Sequence, residues 1–265
     1  MSIHDLLSLA GKRALITGGG RGLGRAIAIG YAEAGASVVI CARREHMLQE
    51  TAERITERGG SVDYVVADVT VEADVQRLAD AAGSVDILVN NAAMFPSHPW
   101  ETVPMESWQE VFALNLFAPF RLCQVFAPGM VERAWGRIIN IASVYGKMGP
   151  KWQLYPEIWG PSSYFASKHG VHGITHYLAP RLARHGVTIN SLSPGGIITT
   201  DQRLNLDERG EERLRKGELF AQSEVQMGRA GDGDDYVAPA VFLASPGSRY
   251  VTGQDLVVDG GWSSW

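Results

Sequence analysis

RALITGGGRGLG, residues 13–24, is the stretch that determines the fold of this 265-residue chain. Its apolar start predicts a strand at 13–17, and the helical periodicity of 25–34 predicts a helix after the glycines. A strand, a glycine turn and a helix in this order point backbone N–H groups and a helix N-terminus at a phosphate. Glycine is needed because a side chain would block the pyrophosphate. The stretch therefore predicts a dinucleotide site rather than a simple turn.

Strands and helices alternate along the rest of the chain. Apolar runs predict further strands at 37–42, 62–66, 85–89, 137–142, 187–192 and 255–259. This alternation predicts a single α/β domain over residues 1–265, with one doubly wound Rossmann-type parallel sheet of about seven strands and helices on both faces. The highly charged stretch 201–226 is either an exposed helix pair or, as we expect, part of a substrate-covering lid spanning about 196–230.

Two features of the second strand and the glycine turn bear on the choice of cofactor. An acidic residue at the end of the second strand would bind the adenosine ribose, whereas an arginine accommodates a 2′-phosphate. The chain has Ala42, Arg43 and Arg44 there, and Arg21 lies inside the glycine turn. Arginine binds phosphate with a fork of donors. This favours NADP(H) over NAD(H), the alternative being that Arg43 and Arg44 are solvated residues at a helix start.

Composition indicates an ordinary globular protein. The net charge is −5, and no long run of like charge is present, so neither nucleic-acid binding nor a polybasic membrane patch is expected. Residues 1–10 lack the basic start and long apolar run of a signal peptide, so we expect none there, and we expect no apolar stretch long enough to span a bilayer. Cys41 and Cys123 have no paired spacing, which favours buried thiols in a cytoplasmic protein.

Four polar residues are candidates for chemistry. Tyr164 and Lys168 are four positions apart, so on a helix they share one face, and an ammonium beside a phenol lowers its pKa. The pair is a candidate acid/base, although a core tyrosine and a surface lysine can show the same spacing. Ser143 follows the fifth predicted strand, where ligands bind in such sheets. Asn115 lies in an apolar stretch, and its sequence neighbours do not distinguish a catalytic role from a structural one.

Pro119 and Pro128 should bend or break the long helical pattern of 104–135.

With these residues the chain resembles a bacterial-type short-chain dehydrogenase/reductase over nearly its full length. The elements that carry the resemblance are the glycine turn, Asp68, Asn90-Asn91-Ala92, Asn115, Ser143, Tyr164 with Lys168, Pro194-Gly195 with Thr199, and Val258-Asp259-Gly260-Gly261. Ala93 stands where the family usually has glycine. The interval from Ser143 to Tyr164 is longer than usual and contains Trp152, Tyr155 and Trp159, so it is expected to build one wall of the substrate pocket.

The resemblance implies a role for each candidate. Tyr164 would exchange a proton with a carbonyl oxygen that Ser143 orients, and Lys168 would bind the nicotinamide ribose and lower the tyrosine pKa. Asn115 would hold a proton-relaying water. The implied cofactor-binding residues are Gly18, Arg21, Gly22, Leu23, Arg43, Asp68, Val69, Asn91, Ala92, Ala93, Tyr164, Lys168, Pro194, Gly195, Ile197 and Thr199.

The expected function is NADP(H)-dependent interconversion of a secondary alcohol and a ketone, with a small-molecule substrate. The aromatic insert and the ending near Trp262 favour a sugar, polyol or sugar acid. The alternatives are a 3-oxoacyl thioester reductase and a dinucleotide-sensing protein without chemistry. The resemblance also implies a homo-oligomer, tetramer or dimer. Because the helix of Tyr164 commonly packs against a neighbouring subunit in this family, His169, His172 and His176 are expected at an interface or in the core, and no metal site is predicted.

Overall fold

The sheet has seven parallel strands in the order β3-β2-β1-β4-β5-β6-β7. The computed structural model describes residues 1–96, 98–149, 162–198 and 208–264. The strands are β1 Arg13–Thr17, β2 Ser37–Ala42, β3 Ser61–Val66, β4 Ile87–Asn90, β5 Gly136–Ile141, β6 Val187–Pro194 and β7 Asp255–Val258. The predicted doubly wound parallel sheet is confirmed, and each predicted strand is present with boundaries shifted by at most two residues.

Helices cover both faces of the sheet. They are α1 Ile3–Leu7, α2 Gly22–Glu33, α3 Glu45–Glu57, α4 Glu72–Ala82, α5 Met105–Phe112, α6 Ala118–Glu132, α7 Ser162–Ala183, α8 Glu208–Glu224 and α9 Asp234–Ala244. Side chains of α2, α3 and α9 pack in one core cluster, and those of α4, α6 and α7 pack in another. In β1, Ala14 and Ile16 belong to the first cluster and Leu15 to the second. This strand is buried on both faces, which explains its unbroken apolar sequence.

The two prolines were predicted to bend or break the helical run, and neither of them breaks it. A π-helix, Ala113–Phe117, joins α5 directly to α6, and Pro128 lies inside α6 without ending it. The N–H of Ala118 bonds to the carbonyl of Ala113, five residues back. This changes the hydrogen-bond register just before Pro119, whose place in the first turn of α6 is where a missing N–H is best tolerated.

The joined helices also contradict the expectation that no apolar stretch is long enough to span a bilayer. Within the described residues, Met105–Glu132 is long and apolar enough to cross a membrane by length and composition alone. Leu122, Phe126 and Met130 of this run are buried in the core cluster beneath the sheet. A core helix that packs on a sheet is commonly as long and as apolar as a membrane-spanning one. The length and composition of this helix are therefore weak evidence for a membrane span.

Candidate active site

A cleft of about 830 Å³ opens at the carboxyl end of the sheet. Here β1 is flanked by β2 on one side and β4 on the other, so the strand order reverses. Ligands of doubly wound sheets bind at such a switch point. Eleven of the predicted cofactor residues line the cleft: Gly18, Arg21, Gly22, Leu23, Arg43, Asp68, Val69, Asn91, Ala92, Ala93 and Ile197. Leu114 lines it as well and was not predicted.

The glycine turn and the loop after β4 are bonded to each other. Thr17 Oγ1 accepts hydrogen bonds from the N–H groups of Asn91 and Ala92, both at 3.0 Å. In return Asn91 Nδ2 donates to the carbonyl of Thr17 at 2.8 Å. A β-carbon on Gly24 would lie 2.4 Å from Asn91 Nδ2 and 2.4 Å from the carbonyl oxygen of Gly18, so only glycine fits. The side chain of Asn91 thus shapes the cleft by holding its two loops together.

Arg25 is a residue of this site that sequence reasoning missed. Its buried guanidinium donates to the carbonyl of Gly20 at 2.6 Å and to Thr51 Oγ1 at 2.9 Å. It also forms an ion pair with Glu50 at 2.9 Å. These contacts fasten the glycine turn to α3. An arginine among the apolar residues of α2 was the available signal, because a buried charge needs partners.

Arg43 and Asp68 face each other at the end of the cleft near β2. Arg43 Nη1 lies 3.7 Å from Asp68 Oδ2, and the arginine side chain is 70% exposed. Asp68 Oδ1 accepts from the N–H and hydroxyl of Thr70 at 3.0 and 2.7 Å. Asp68 does not cap α4, because Val71 occupies the N-cap position and no side chain caps the helix.

Tyr164, Ser143 and Lys168 lie together next to the end of β5. Burial raises the pKa of Tyr164 to about 12, and the neighbouring Ser143 hydroxyl acts in the opposite direction. Lys168 Nζ donates to the carbonyl of Ile141 at 2.6 Å and lies 5.5 Å from the centroid of the Tyr164 ring. Burial lowers the pKa of Lys168 to about 7. The net shift of the Tyr164 pKa is thus opposite to the expected lowering, because the cost of burying a phenolate dominates.

Asn115 occupies the middle of the π-helix, and both the oxygen and the nitrogen of its side-chain amide are hydrogen-bonded. Its Oδ1 accepts from the N–H of Met94 at 2.9 Å, and its Nδ2 donates to the carbonyl of Met94 at 3.0 Å. The same Nδ2 contacts Ser167 Oγ at 3.3 Å, and Ser167 Oγ donates to the carbonyl of Tyr164 at 2.8 Å. Asn115 thus links the loop after β4 to the start of α7.

Phe95 completes the connection between the cleft and Tyr164. It follows the cleft residues Ala92 and Ala93, and its ring meets the ring of Tyr164 edge-on at 4.7 Å. Tyr164 itself does not line the cleft, but it contacts Phe95, two residues beyond the cleft residue Ala93.

A row of aromatic rings packs around the turn that follows Ser143. Tyr145 stacks on Phe165 at 4.3 Å and meets Trp262 edge-on at 5.3 Å. Phe220 of α8 contacts Trp262 at 5.2 Å. Burial raises the pKa of Tyr145 to about 12, and the charge of an ionised Tyr164 acts in the same direction. The end of the chain is thus packed against the turn that carries Ser143.

Some predicted residues are placed elsewhere or lie outside the described residues. Pro194 and Gly195 do not line the cleft, and Gly195 instead approaches the backbone of Asp259 so closely that a β-carbon would lie 2.8 Å from it. Thr199 and the insert aromatics Trp152, Tyr155 and Trp159 lie outside the described residues. His172 is buried, as expected of a core histidine. In the part of the chain that the structure describes, no group of three His, Cys, Asp or Glu side chains could hold a metal ion.

A dinucleotide cleft in a chain that also groups a half-buried tyrosine with a buried lysine and a buried serine defines a class, the nicotinamide-dependent α/β oxidoreductases. A family model described as short chain dehydrogenase matches residues 12–209. The chain belongs to the short-chain dehydrogenase family. It is an NAD(P)-dependent oxidoreductase that interconverts alcohol and carbonyl groups.

Relatives in this family match almost the whole chain. The 3-oxoacyl-(acyl-carrier-protein) reductase of Vibrio harveyi is 37% identical over 258 residues, covering 96% of this chain and 98% of the relative. The 2-dehydro-3-deoxy-D-gluconate 5-dehydrogenase of Bacillus subtilis is 36% identical over 269 residues, covering 99% and 98%. The crystal structure of a gluconate 5-dehydrogenase from Burkholderia cenocepacia, in complex with NADP and tartrate, aligns with a TM-score of 0.86 and 34% identity, covering all of both chains.

Proposed function

We propose that the protein reduces and oxidises a small hydroxy or keto compound with NADP(H), using Tyr164 as the acid and base. The observation that carries this proposal is the grouping of three side chains: the Ser143 hydroxyl acts on the Tyr164 phenol and lowers its pKa, and the buried Lys168 Nζ lies 5.5 Å from the Tyr164 ring. When bound, the nicotinamide supplies or accepts the hydride. The protein must then supply a proton and hold the oxygen that receives it.

The protonation states favour Tyr164 as the proton donor at neutral pH. With a pKa of about 12, the phenol is neutral and carries the proton that a reduced carbonyl oxygen needs. Ser143, whose hydroxyl acts on the same phenol, is proposed to hold that oxygen. Lys168, with a pKa of about 7, is close to half protonated at neutral pH, and its charge stabilises the phenolate that forms. Asn115 keeps the loop after β4 in place against α7.

The cleft has the residues that a phosphorylated dinucleotide requires. Its glycine turn leads into the N-terminus of α2, and Arg21 and Arg43 bring two guanidinium groups to its wall. A guanidinium fork suits a 2′-phosphate, and this supports NADP(H) over NAD(H). Asp68 and Val69 are proposed at the adenine, Asn91, Ala92 and Ala93 at the ribose, and Ile197 near the carboxamide. The contact of Pro194 with the cofactor is proposed from the family resemblance alone.

A sugar acid or related polyol is the proposed substrate. The relatives named for gluconate and 2-dehydro-3-deoxygluconate chemistry support it, as does the structure from Burkholderia cenocepacia that holds tartrate, a hydroxylated acid. Phe95, half exposed and in contact with Tyr164, offers an apolar ring for the carbon face of such a substrate. A 3-oxoacyl thioester is the second candidate, supported by the Vibrio harveyi relative and by the exposed apolar side chains of Phe95 and Trp100.

A panel assay tests these candidates. Reduction of 5-ketogluconate, other keto-sugar acids and acetoacetyl-coenzyme A would be followed with NADPH and with NADH. We expect the highest kcat/KM for a keto-sugar acid with NADPH. A higher value for the thioester would favour the second candidate. Tight cofactor binding without turnover of any carbonyl would favour the sensing alternative and contradict the proposed enzyme.

A homo-oligomer is proposed from an apolar groove between α6 and α7. The groove of about 410 Å³ is lined by Leu116, Phe117, Phe120, Gly170, Gly173, Ile174 and Tyr177. Phe117 and Tyr177 are 60% and 59% exposed, and a patch of this kind marks an interaction site. Sedimentation at micromolar concentration should give a dimer or tetramer, and a monomer would contradict this proposal.

A single domain, a cytoplasmic location and a lid over about 196–230 remain predictions from the sequence.

A further inference from the structure

The turn after Ser143 is held by an ion pair that the reaction described above does not use. Lys147 follows the one-turn 3₁₀ helix Val144–Gly146, and its Nζ lies 2.7 Å from Asp255 Oδ2. The side chain of Asp255, at the start of β7, is only 4% exposed, whereas that of Lys147 is 50% exposed. A carboxylate as buried as this one requires a counter-charge. Lys147 supplies that charge from the turn that carries Ser143.

The other oxygen of Asp255 is engaged by neighbouring elements. Ser193 Oγ of β6 donates to Oδ1 at 2.6 Å, and Nδ1 of His172 in α7 lies 4.0 Å from the same oxygen. Burial lowers the pKa of His172; the charges of Lys147, His176 and His169 act in the same direction, and Asp255 opposes them. His172 is therefore neutral at neutral pH, which leaves Lys147 as the cation of the group.

A continuous series of contacts leads from Asp255 to Tyr164. The N–H of Lys147 donates to the carbonyl of Val144 at 3.0 Å and closes the 3₁₀ turn. At the start of that turn, the N–H of Tyr145 donates to Ser143 Oγ at 3.2 Å. The Ser143 hydroxyl in turn acts on the Tyr164 phenol and lowers its pKa. The orientation of the serine hydroxyl thus depends on the turn that Lys147 ends.

The turn is also packed tightly against α7. A β-carbon on Gly146 would lie 2.6 Å from His172 Nε2 and 2.9 Å from the carbonyl oxygen of Lys168. The packing limits movement toward α7, and the ion pair limits movement away from it. We propose that Asp255 is a positioning residue, which acts through Lys147 to hold the Ser143 hydroxyl against Tyr164. Its kinetic test rests on the proposed function, whereas its structural test does not.

Asp255→Asn is the principal variant, because asparagine keeps an oxygen for Ser193 and removes the charge. The kcat for NADPH-dependent reduction of the best panel substrate should fall about 10- to 100-fold, since a displacement near 1 Å has this effect. The Kd for NADPH, measured by fluorescence titration, should stay within about twofold because the cleft is untouched. An unchanged kcat, or an equal loss of NADPH affinity, would overturn the proposal.

Variants of Lys147 test whether the pair acts as one unit. Lys147→Met should reduce kcat as much as Asp255→Asn, and the double variant should lose no more than either single one. Lys147→Arg, which keeps the positive charge, should retain most of the wild-type activity. Additive losses in the double variant, or no recovery with arginine, would show that the ion pair is not what positions the serine.

Asp86→Asn is the matched control. Asp86 Oδ1 lies 3.5 Å from Arg133 Nε, and its Oδ2 accepts from the N–H of Arg13 at 3.0 Å. This carboxylate is also paired and largely buried, but it precedes β4, at the amino edge of the sheet away from the site. The control should lower stability and keep kcat. A loss of kcat equal to that of Asp255→Asn would contradict a specific role for Asp255.

A crystal structure of the Asp255→Asn protein separates this inference from the proposed function. Ser143 Oγ should be displaced from the Tyr164 hydroxyl by about 1 Å, whatever the substrate proves to be. Ser143 in its original place would overturn the inference even in an active enzyme. If Asp255→Asn does not fold, the same measurement on Lys147→Met decides. Wild-type protein that reduces no panel carbonyl would contradict the proposed function alone.

Discussion

Replacing Lys168 with methionine should change stability in opposite directions at low and high pH. The side chain of Lys168 is buried, and its Nζ donates to the carbonyl of Ile141 at 2.6 Å. Burial lowers its pKa from 10.5 to about 7. At about 1.4 kcal/mol per pH unit, holding this charge in the folded protein costs roughly 5 kcal/mol below pH 7. Methionine has a similar length and removes the charge, so it removes that cost.

The sign of the effect follows from proton binding. Between pH 7 and 10.5 the unfolded lysine is protonated while the folded one has lost its proton, so wild-type stability rises with pH across this window. The variant lacks this dependence, but it leaves the carbonyl of Ile141 without its donor, which costs about 1–3 kcal/mol. At pH 6 Lys168→Met should therefore be more stable than wild type by about 2–4 kcal/mol, and above pH 10.5 less stable by about 1–3 kcal/mol.

Urea unfolding at a fixed subunit concentration, followed by tryptophan fluorescence at pH 6, 8 and 10, measures these differences. Lys216→Met is the control, because Lys216 is exposed on α8, 2.9 Å from Glu212. The control should change stability little at any of the three pH values. If the wild-type and Lys168→Met curves ran parallel from pH 6 to 10, the reasoning about the buried ammonium would be refuted.

Three further predictions concern the cofactor and the reaction. Arg43→Ala should weaken NADPH binding about tenfold and NADH binding little, because only the former carries the phosphate that a guanidinium binds; equal effects in fluorescence titrations would contradict this. Gly24→Ala should weaken binding of both nucleotides at least about tenfold, because the added β-carbon would lie 2.4 Å from the Gly18 carbonyl oxygen. The control Gly129→Ala, where the β-carbon meets only the end of Arg133 at 3.1 Å, should bind normally. The kcat/KM of carbonyl reduction should fall above pH about 7, as Lys168 loses its proton while Tyr164, near 12, keeps its own; a plateau to pH 9 would show that the charge on Lys168 is not required.

The sheet and the cleft could be predicted because their signals are local. Apolar runs fix the strands, and the glycines near Gly18 fix the turn, since a β-carbon at Gly24 would collide with its own turn. Tyr164 and Lys168 share a helix face for the same reason of spacing. The carboxyl ends of parallel strands meet at one edge, which is why Ser143 and Asn91 could be assigned to the same region.

The electrostatics and the long-range contacts could not be predicted in this way. Burial depends on the whole packed chain, so the raised pKa of Tyr164 could not be inferred from its neighbour at Lys168. A π-helix lies before Pro119 where a break was expected. Only the packed structure shows how the helix accommodates the proline. The ion pair of Lys147 with Asp255 joins two segments far apart in the chain, and no local pattern indicates it.

The hydroxyl of Tyr164 is the group on which the account depends most directly. Tyr164→Phe removes that hydroxyl and keeps the ring that contacts Phe95. The measurement is kcat/KM for carbonyl reduction together with the Kd for NADPH in the same preparation. The kcat/KM should fall at least about a thousandfold, in the upper range for general acid catalysis, with the Kd unchanged. Undiminished turnover in the phenylalanine variant would contradict it.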